Sequence, residues 1–155
     1  MLYFEDIQPG DVLRSSAYTV EADEMVAFAR RWDPVPIHID PAVAEELVGG
    51  LTASGIYVLA VKARLLHELP AAAILGSAGY DEVRFHEPLR PGDSVHAVLE
   101  WQACRPSSSK PDRGVVTLRI ALVNQGGATI MSHLDTLIVR RRTQGEPPVG
   151  RSDER

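Results

Sequence analysis

The stretch SGIYVLAVKARLLHELP, residues 54–70, decides the fold. Ser54 is a residue type that caps helices, and Pro70 is one that ends them. Residues 56–61 are apolar on every side of a helical wheel. A helix without a polar face is buried on most of its surface. The stretch therefore predicts a long central helix over residues 55–69 that other elements surround.

The second half of the chain predicts the sheet that surrounds this helix. Four segments are rich in β-branched residues and are bounded by Pro- and Gly-containing turns, a pattern typical of strands. They are residues 80–85, 94–104, 115–124 and 129–139, with a weaker strand expected at 12–20. The pattern predicts an α+β protein in which one strongly curved antiparallel sheet wraps around the central helix. Such a sheet exposes its edges, so we expect pairing into a homodimer or a higher homo-oligomer.

Two shorter helices are expected before the central one. Residues 21–32 place apolar side chains at i, i+3, i+4 and i+7, with acidic residues in the first turn and basic residues in the last, an order that suits the helix dipole. Residues 41–48 follow an Asp-Pro start signal and stop at Gly49-Gly50. Between these helices, residues 33–40 contain two prolines and predict an irregular, mostly extended segment.

Length and composition exclude several classes of protein. The 155 residues suit one domain, expected at 1–142, and residues 143–155 lack periodicity and predict a disordered tail. A net charge of −5 argues against a nucleic-acid partner. The sequence has neither a basic leader nor an apolar run of about 18 residues, so we expect no secretory signal and no membrane span. A single cysteine, Cys104, indicates a reducing compartment, and we expect the cytoplasm.

The segment between the first two helices carries a carboxylate at Asp33 and an imidazole at His38. Pro34 and Pro36 restrict the backbone, so this loop loses less entropy on ordering than a free loop. A rigid loop with these two groups is what general acid–base catalysis requires. Side chains five residues apart on an ideal strand point to opposite faces, so the chain has to curl for both to reach one atom. The residue types also suit a structural pair, an Asp at a helix end and a His bonded to the backbone, and alone they leave both interpretations open.

His38-Ile39-Asp40 also fits part of an iron-binding facial triad, with His133 as the distant ligand. That kind of site belongs on a strand, whereas Asp40-Pro41 opens a helix. The iron site is therefore the weakest of the interpretations.

Four motifs, in order, resemble those of the MaoC-like dehydratases, a family that includes the (R)-specific enoyl-CoA hydratases. After Phe28-Ala29, DPVPIHID at residues 33–40 is similar to the family signature D-x-N-P-x-H-x-D. TASG at 52–55, FHEPLRPGD at 85–93 and VNQGG at 123–127 resemble three further family motifs. The resemblance runs from about residue 4 to residue 142.

This resemblance implies a hot-dog fold, usually dimeric, and a catalytic pair formed by Asp33 and His38. The pair would activate a water that adds to C3 of a trans-2-enoyl thioester while C2 gains a proton; dehydration is the reverse. Gly55, at the start of the central helix, has an unpaired N–H and no side chain, so it is a candidate donor to the thioester oxygen. No cofactor is implied, because coenzyme A would enter only as part of the substrate, with acyl carrier protein as the alternative carrier.

Four neighbouring residues are expected to line the substrate pocket, and two of them depart from the family pattern. Val35 stands where the family usually has Asn, and Ser54 where many members have His; Ser54 is interpreted chiefly as a helix cap. Two other functions remain open: a non-catalytic hot-dog subunit or acyl-thioester-binding protein of a heteromeric dehydratase, and a hot-dog thioesterase. The four pocket candidates are Val35, Pro36, Ser54 and Ile56.

Overall fold

The computed structural model describes residues 1–143, so the expected tail lies outside the described residues apart from Thr143. The described part begins with a short 3-10 helix, Phe4–Asp6. The strands are β1 (Val12–Arg14), β2 (Tyr18–Thr19), β3 (Ile74–Phe85), β4 (Ser94–Pro106), β5 (Arg113–Asn124) and β6 (Thr129–Arg140). The helices are α1 (Ala22–Trp32), α2 (Pro36–Ile39), α3 (Pro41–Val48) and α4 (Gly55–Leu66).

All strand pairs form one antiparallel sheet in the order β1-β4-β5-β6-β3, and β2 also pairs with β4. Apolar side chains alternate along β4 and β5 as predicted, and the inward members are buried. The alternation in β4 ends after Trp101, where a register shift leaves Ala103 exposed. The α+β architecture inferred from the sequence is confirmed.

The central helix α4 packs against the inward face of this sheet. Tyr57, Val58, Val61 and Leu65 on α4 are buried. They share one core with inward residues of three strands and with Met25 of α1. Burial of apolar surface of this kind is the main driving force for folding. The strand residues in this core are Val95, Ala97, Leu122, Ile130 and Met131.

Three element boundaries differ from the sequence prediction. The central helix ends at Leu66 rather than Leu69, because the next residues form tighter i→i−3 turns. The weak strand expected at 12–20 is interrupted and forms β1 and β2. The strand β3 starts at Ile74, six residues before the predicted start, because β6 supplies hydrogen-bond partners to this Gly-containing stretch. Among residues 1–143, no helix is both long and apolar enough to cross a membrane.

Candidate active site

The segment that carries Asp33 and His38 forms a turn of helix and not the extended chain that the prolines suggested. Asp33 ends α1, with its N–H bonded to the Ala29 carbonyl at 2.8 Å. Pro36 occupies the first position of α2, where a missing N–H costs nothing. Four residues are too few to show helical periodicity, so no local pattern predicted α2. The backbone therefore curls between Asp33 and His38.

His38 is anchored through one ring nitrogen. Its Nδ1 lies 2.7 Å from the carbonyl oxygen of Thr52 and 3.3 Å from the Thr52 hydroxyl. A carbonyl oxygen only accepts hydrogen bonds, so Nδ1 carries the proton in the neutral ring. Nε2 is then the unprotonated nitrogen, which accepts a hydrogen bond or a proton. His38 is half-buried, and Thr52 is 9% exposed.

Asp33 is half-buried at the junction of α1 and α2. The Val35 N–H donates to the Asp33 carbonyl at 2.8 Å, and the His38 N–H donates to the Val35 carbonyl at 2.9 Å. The two candidate residues thus lie on consecutive turns around Val35. Within residues 1–143 no group donates a hydrogen bond to the Asp33 carboxylate, so both its oxygens are available to accept one.

Ser54 and Gly55 form the start of α4. The Ser54 side chain is fully buried, and its hydroxyl accepts from the Tyr57 N–H at 3.2 Å, which makes it the helix cap. Gly55 is the first helical residue, and within residues 1–143 its N–H has no acceptor. Burial and the neighbouring Tyr18 hydroxyl raise the pKa of Tyr57, so the phenol stays protonated behind this helix start.

An open cleft of about 380 Å³ lies beside Gly55. The ring of Phe85 covers the glycine: a methyl group at Gly55 would come within 2.8 Å of its Cζ. The cleft includes Gly55 but neither Asp33 nor His38. His38 is linked to the cleft through Thr52, which belongs to its wall. The lining residues are Thr52, Ala53, Gly55, Val58, Phe85, His86, Glu87, Pro88 and Leu89.

The remaining pocket candidates are placed differently. Val35 and Ile56 are exposed, at 44% and 52%, and Pro36 is exposed as well. Ser54 is enclosed and serves the helix backbone. Only Gly55 of the proposed site residues lines the cleft. The roles of Asp33, His38, Gly55 and these neighbours remain predictions.

Arg90 is a residue of this region that the sequence did not single out. Its guanidinium donates to the carbonyls of Val48, Gly49 and Gly50 at 2.8, 3.1 and 3.0 Å. These carbonyls end α3 and lead directly into the segment that holds Thr52. A cation at a helix C-terminus also suits the helix dipole. A possible signal was the position of Arg90 inside the motif-like stretch 85–93.

The iron-site interpretation finds no support in the arrangement of side chains. The Asp40 carboxylate accepts from the N–H groups of Ala42 and Val43 and caps α3. In the part of the chain that the structure describes, no three His, Cys, Asp or Glu side chains lie close enough to hold a metal ion.

The fold defines a class of protein. An antiparallel sheet packed on one central helix, with an Asp–His segment ahead of that helix, is a hot-dog architecture, and its structural neighbours are hot-dog proteins. Residues 6–123 match the model of the MaoC like domain. The chain therefore belongs to the MaoC-like dehydratase and hydratase family.

Individual relatives agree with this assignment. The MaoC-like dehydratase from Rhodospirillum rubrum superposes with a TM-score of 0.87 at 38% identity, over 92% of this chain and 99% of that one. The (R)-hydratase from A. caviae involved in PHA biosynthesis superposes with a TM-score of 0.65 at 26% identity, over 89% and 99%. Protein MaoC from Klebsiella aerogenes is 31% identical over 113 residues, which are 72% of this chain but 33% of that protein. The chain thus spans about a third of that curated relative.

Proposed function

We propose that this protein adds water to a trans-2-enoyl thioester, or removes it from the 3-hydroxyacyl thioester, with Asp33, His38 and Gly55 as the reacting groups. The observation that carries the proposal is the bond from His38 Nδ1 to the Thr52 carbonyl. It fixes the tautomer and the ring orientation, so Nε2 is prepared to act as a base. Family membership and the similarity to a dehydratase and an (R)-hydratase support the reaction class.

In the proposed hydration His38 transfers the proton and Asp33 holds the water. His38 Nε2 takes a proton from the water, and the Asp33 carboxylate holds the other hydrogen. The water oxygen forms a bond to C3, the C2=C3 π electrons move towards C2, and the thioester oxygen gains negative charge. The imidazolium then delivers its proton to C2, so atoms and charges balance.

Gly55 stabilises the charge that develops on the thioester oxygen. Its free N–H lies at the positive end of the α4 dipole. The absence of a side chain lets the thioester approach the backbone. One such donor is typically worth about 3–4 kcal/mol of the barrier.

The substrate carrier is coenzyme A or acyl carrier protein, and the acting species is a homodimer. The strand β3 supports the dimer because it is an edge strand of 12 residues and, within residues 1–143, pairs with β6 alone. It also exposes Ile74, Leu75, Tyr80 and Phe85, each about half exposed. A long edge with exposed apolar side chains favours pairing with another strand.

The direct test measures hydration of crotonyl-CoA and longer enoyl-CoAs at the absorbance of the conjugated thioester. Asp33→Asn keeps the shape of the side chain but removes the charge, and we expect loss of turnover with unchanged folding. Asp23→Asn, an exposed acid on α1, is the matched control and retains activity. Turnover of Asp33→Asn at the parent rate would remove Asp33 from the site.

His38→Ala tests the base. We expect turnover to fall by about 10²–10⁴-fold, the usual contribution of a general acid–base group. His67→Ala, at an exposed position after α4, is the control. If the unaltered protein binds enoyl-CoAs without hydrating any of them, the non-catalytic subunit becomes the better explanation.

A further inference from the structure

A cleft of about 460 Å³ opens on the outward face of the sheet, which α4 does not cover. The outward positions that line it include Arg119 and Ala121 on β5 and Ser132 on β6, and they alternate with buried inward residues. Ala121 and Ser132 lie opposite each other in the register of the two strands. Because the side chain of Ala121 is a single methyl group, the Ser132 hydroxyl has open space beside it.

The Ser132 hydroxyl is hydrogen bonded to an imidazole. Its Oγ lies 2.8 Å from Nε2 of His86. The His86 N–H donates to the Ile130 carbonyl at 2.8 Å, so the backbone that carries the ring is anchored on β6 two residues before Ser132. His86 is exposed and Ser132 is half-buried, so water could satisfy both groups and burial does not require this bond. A serine and a histidine base at this distance form the arrangement that activates a serine nucleophile.

Arg119 brings a positive charge to the same cleft. It lies two residues before Ala121, so it is a diagonal neighbour of Ser132 across the strand pair and within reach of a long side chain. Its Nη2 lies 3.7 Å from a carboxylate oxygen of Glu82, and the two side chains are 45% and 63% exposed. An exposed ion pair of this length is weak, and a guanidinium has five N–H donors. Arg119 can therefore donate to an oxygen that gains negative charge in the cleft.

We propose that Ser132 and His86 form a nucleophilic dyad that accepts acyl groups from small esters, with Arg119 stabilising the oxyanion. Ser132 Oγ forms a bond to the carbonyl carbon, its proton passes to His86 Nε2, and the C=O π electrons move to the carbonyl oxygen. When these electrons return, the bond to the alcohol oxygen breaks, and the alkoxide takes the proton from His86. Water then attacks the acyl carbon, a proton of this water passes through His86 to Ser132 Oγ, and the acid is released.

The other residues of the cleft define the substrate class and separate this activity from hydration. Glu87 also lines the cleft, and its carboxylate favours a neutral ester over an anionic one. His86 and Glu87 belong to the walls of both this cleft and the cleft beside Gly55, whereas Ser132 lines only the outward one. A change at Ser132 therefore removes the dyad without altering the proposed hydration site.

The test follows release of p-nitrophenolate from p-nitrophenyl acetate, a small neutral ester. Thiols also react with this ester, so all samples carry Cys104→Ala, which removes the single cysteine. We expect Ser132→Ala, and His86→Gln, which keeps a polar side chain without a base, each to lower the rate by about 10²-fold. The matched controls are Ser108→Ala and His67→Gln, at exposed positions away from the cleft, and both should keep the rate.

Two further measurements assign the roles. Acid quenching during turnover, followed by peptide mass spectrometry, should place the acetyl group on Ser132. Arg119→Met should lower the rate by about tenfold, as for the loss of a hydrogen bond to a charged group. Thermal unfolding at the temperature of the parent shows that each variant is folded.

Three results would overturn the proposal. They are an unchanged rate in Ser132→Ala, an unchanged rate in His86→Gln, or acetyl groups on other residues but not on Ser132. Enoyl-CoA hydration is measured on the same Ser132→Ala sample and should equal that of the parent. Failure of the dyad is thus distinguishable from failure of the hydratase.

Discussion

The absence of a side chain at Gly55 matters both for packing against Phe85 and for the proposed chemistry. The Cζ atom of Phe85 lies 2.8 Å from the position that a Cβ on Gly55 would take, and Phe85 itself is 52% exposed. An exposed ring can move aside, so an added methyl group costs little stability. The same methyl group would stand between the thioester and the Gly55 N–H.

Gly55→Ala is therefore expected to lower enoyl-thioester turnover by an amount approaching one oxyanion donor, about 10²-fold. The double variant Gly55→Ala with Phe85→Leu relieves the clash but keeps the methyl group. We expect turnover to stay low in the double variant, measured with crotonyl-CoA. Recovery to the parent rate would mean that Gly55 matters only for packing against Phe85.

His133 is a buried titratable residue that makes the stability of the protein depend on pH. Burial lowers its pKa from 6.5, and the nearby Lys62 lowers it further, while the bond to the Leu134 carbonyl and the charge of Asp135 raise it. Tyr80 covers the ring, with centroids 4.4 Å apart. As pH falls below 6.5, the unfolded chain takes up a proton that the native chain does not, so protonation favours unfolding.

The free energy of unfolding should therefore decrease as pH falls below about 6.5, with a slope of up to about 1.4 kcal/mol per pH unit from this group. His133→Gln should flatten that slope. Denaturant titrations between pH 5.5 and 7.5 measure it. An identical slope in His133→Gln and the parent would contradict this assignment.

On the scale of elements, Arg90 ties the end of α3 to the turn before β4. The hydrogen bonds from its guanidinium to three carbonyls hold the segment whose Thr52 carbonyl orients His38. Without these hydrogen bonds the carbonyls at the helix end have no donor. Removal of the Arg90 guanidinium should therefore lower the stability of the protein and disturb the proposed site.

Arg90→Met is expected to lower the free energy of unfolding by about 2 kcal/mol, the scale of hydrogen bonds to a charged group. At a temperature where the variant is fully folded, kcat for crotonyl-CoA should still fall, because His38 is less well oriented. Arg84→Met, at an exposed position of β3, is the control. A kcat equal to that of the parent would limit Arg90 to a structural role.

Elements with strong local signals were predictable from the sequence, and those that depend on distant partners were not. The apolar stripe of α1, the cap at Ser54 and the alternation in β5 are local. The first half of β3 contains Gly76 and Gly79 and owes its strand conformation to pairing with β6. At the site, the residue types of Asp33 and His38 made them predictable candidates. The bond from His38 to the Thr52 carbonyl was not predictable, because every residue has a backbone carbonyl.

On the scale of the whole molecule, the two edges of the sheet differ. One edge is the long strand β3, and the other is formed by β1 and β2 along β4, which have three and two residues. Short edge strands resist pairing. The proposed dimer therefore forms through β3.

Leu75→Glu, which places a charge on β3 at a 48% exposed position, is expected to convert the dimer to a monomer of 16.9 kDa. Val12→Glu places the same charge on β1 at a 49% exposed position and should leave the dimer intact. Light scattering coupled to size-exclusion chromatography measures both. A parent protein that elutes as a monomer, or a dimer unaffected by Leu75→Glu, would exclude this interface.

The order of the strands also governs what happens during synthesis on the ribosome. The helix α4 is complete at Leu66, but its covering strands run from Ser94 to Arg140. At the usual translation rate of about 5–20 residues per second, β6 is complete roughly 4–15 s after the apolar helix. During that interval the apolar face of α4 lacks its full cover, and β3 has no strand to pair with. Among the described strands, β6 is the last to be translated, and it completes the core.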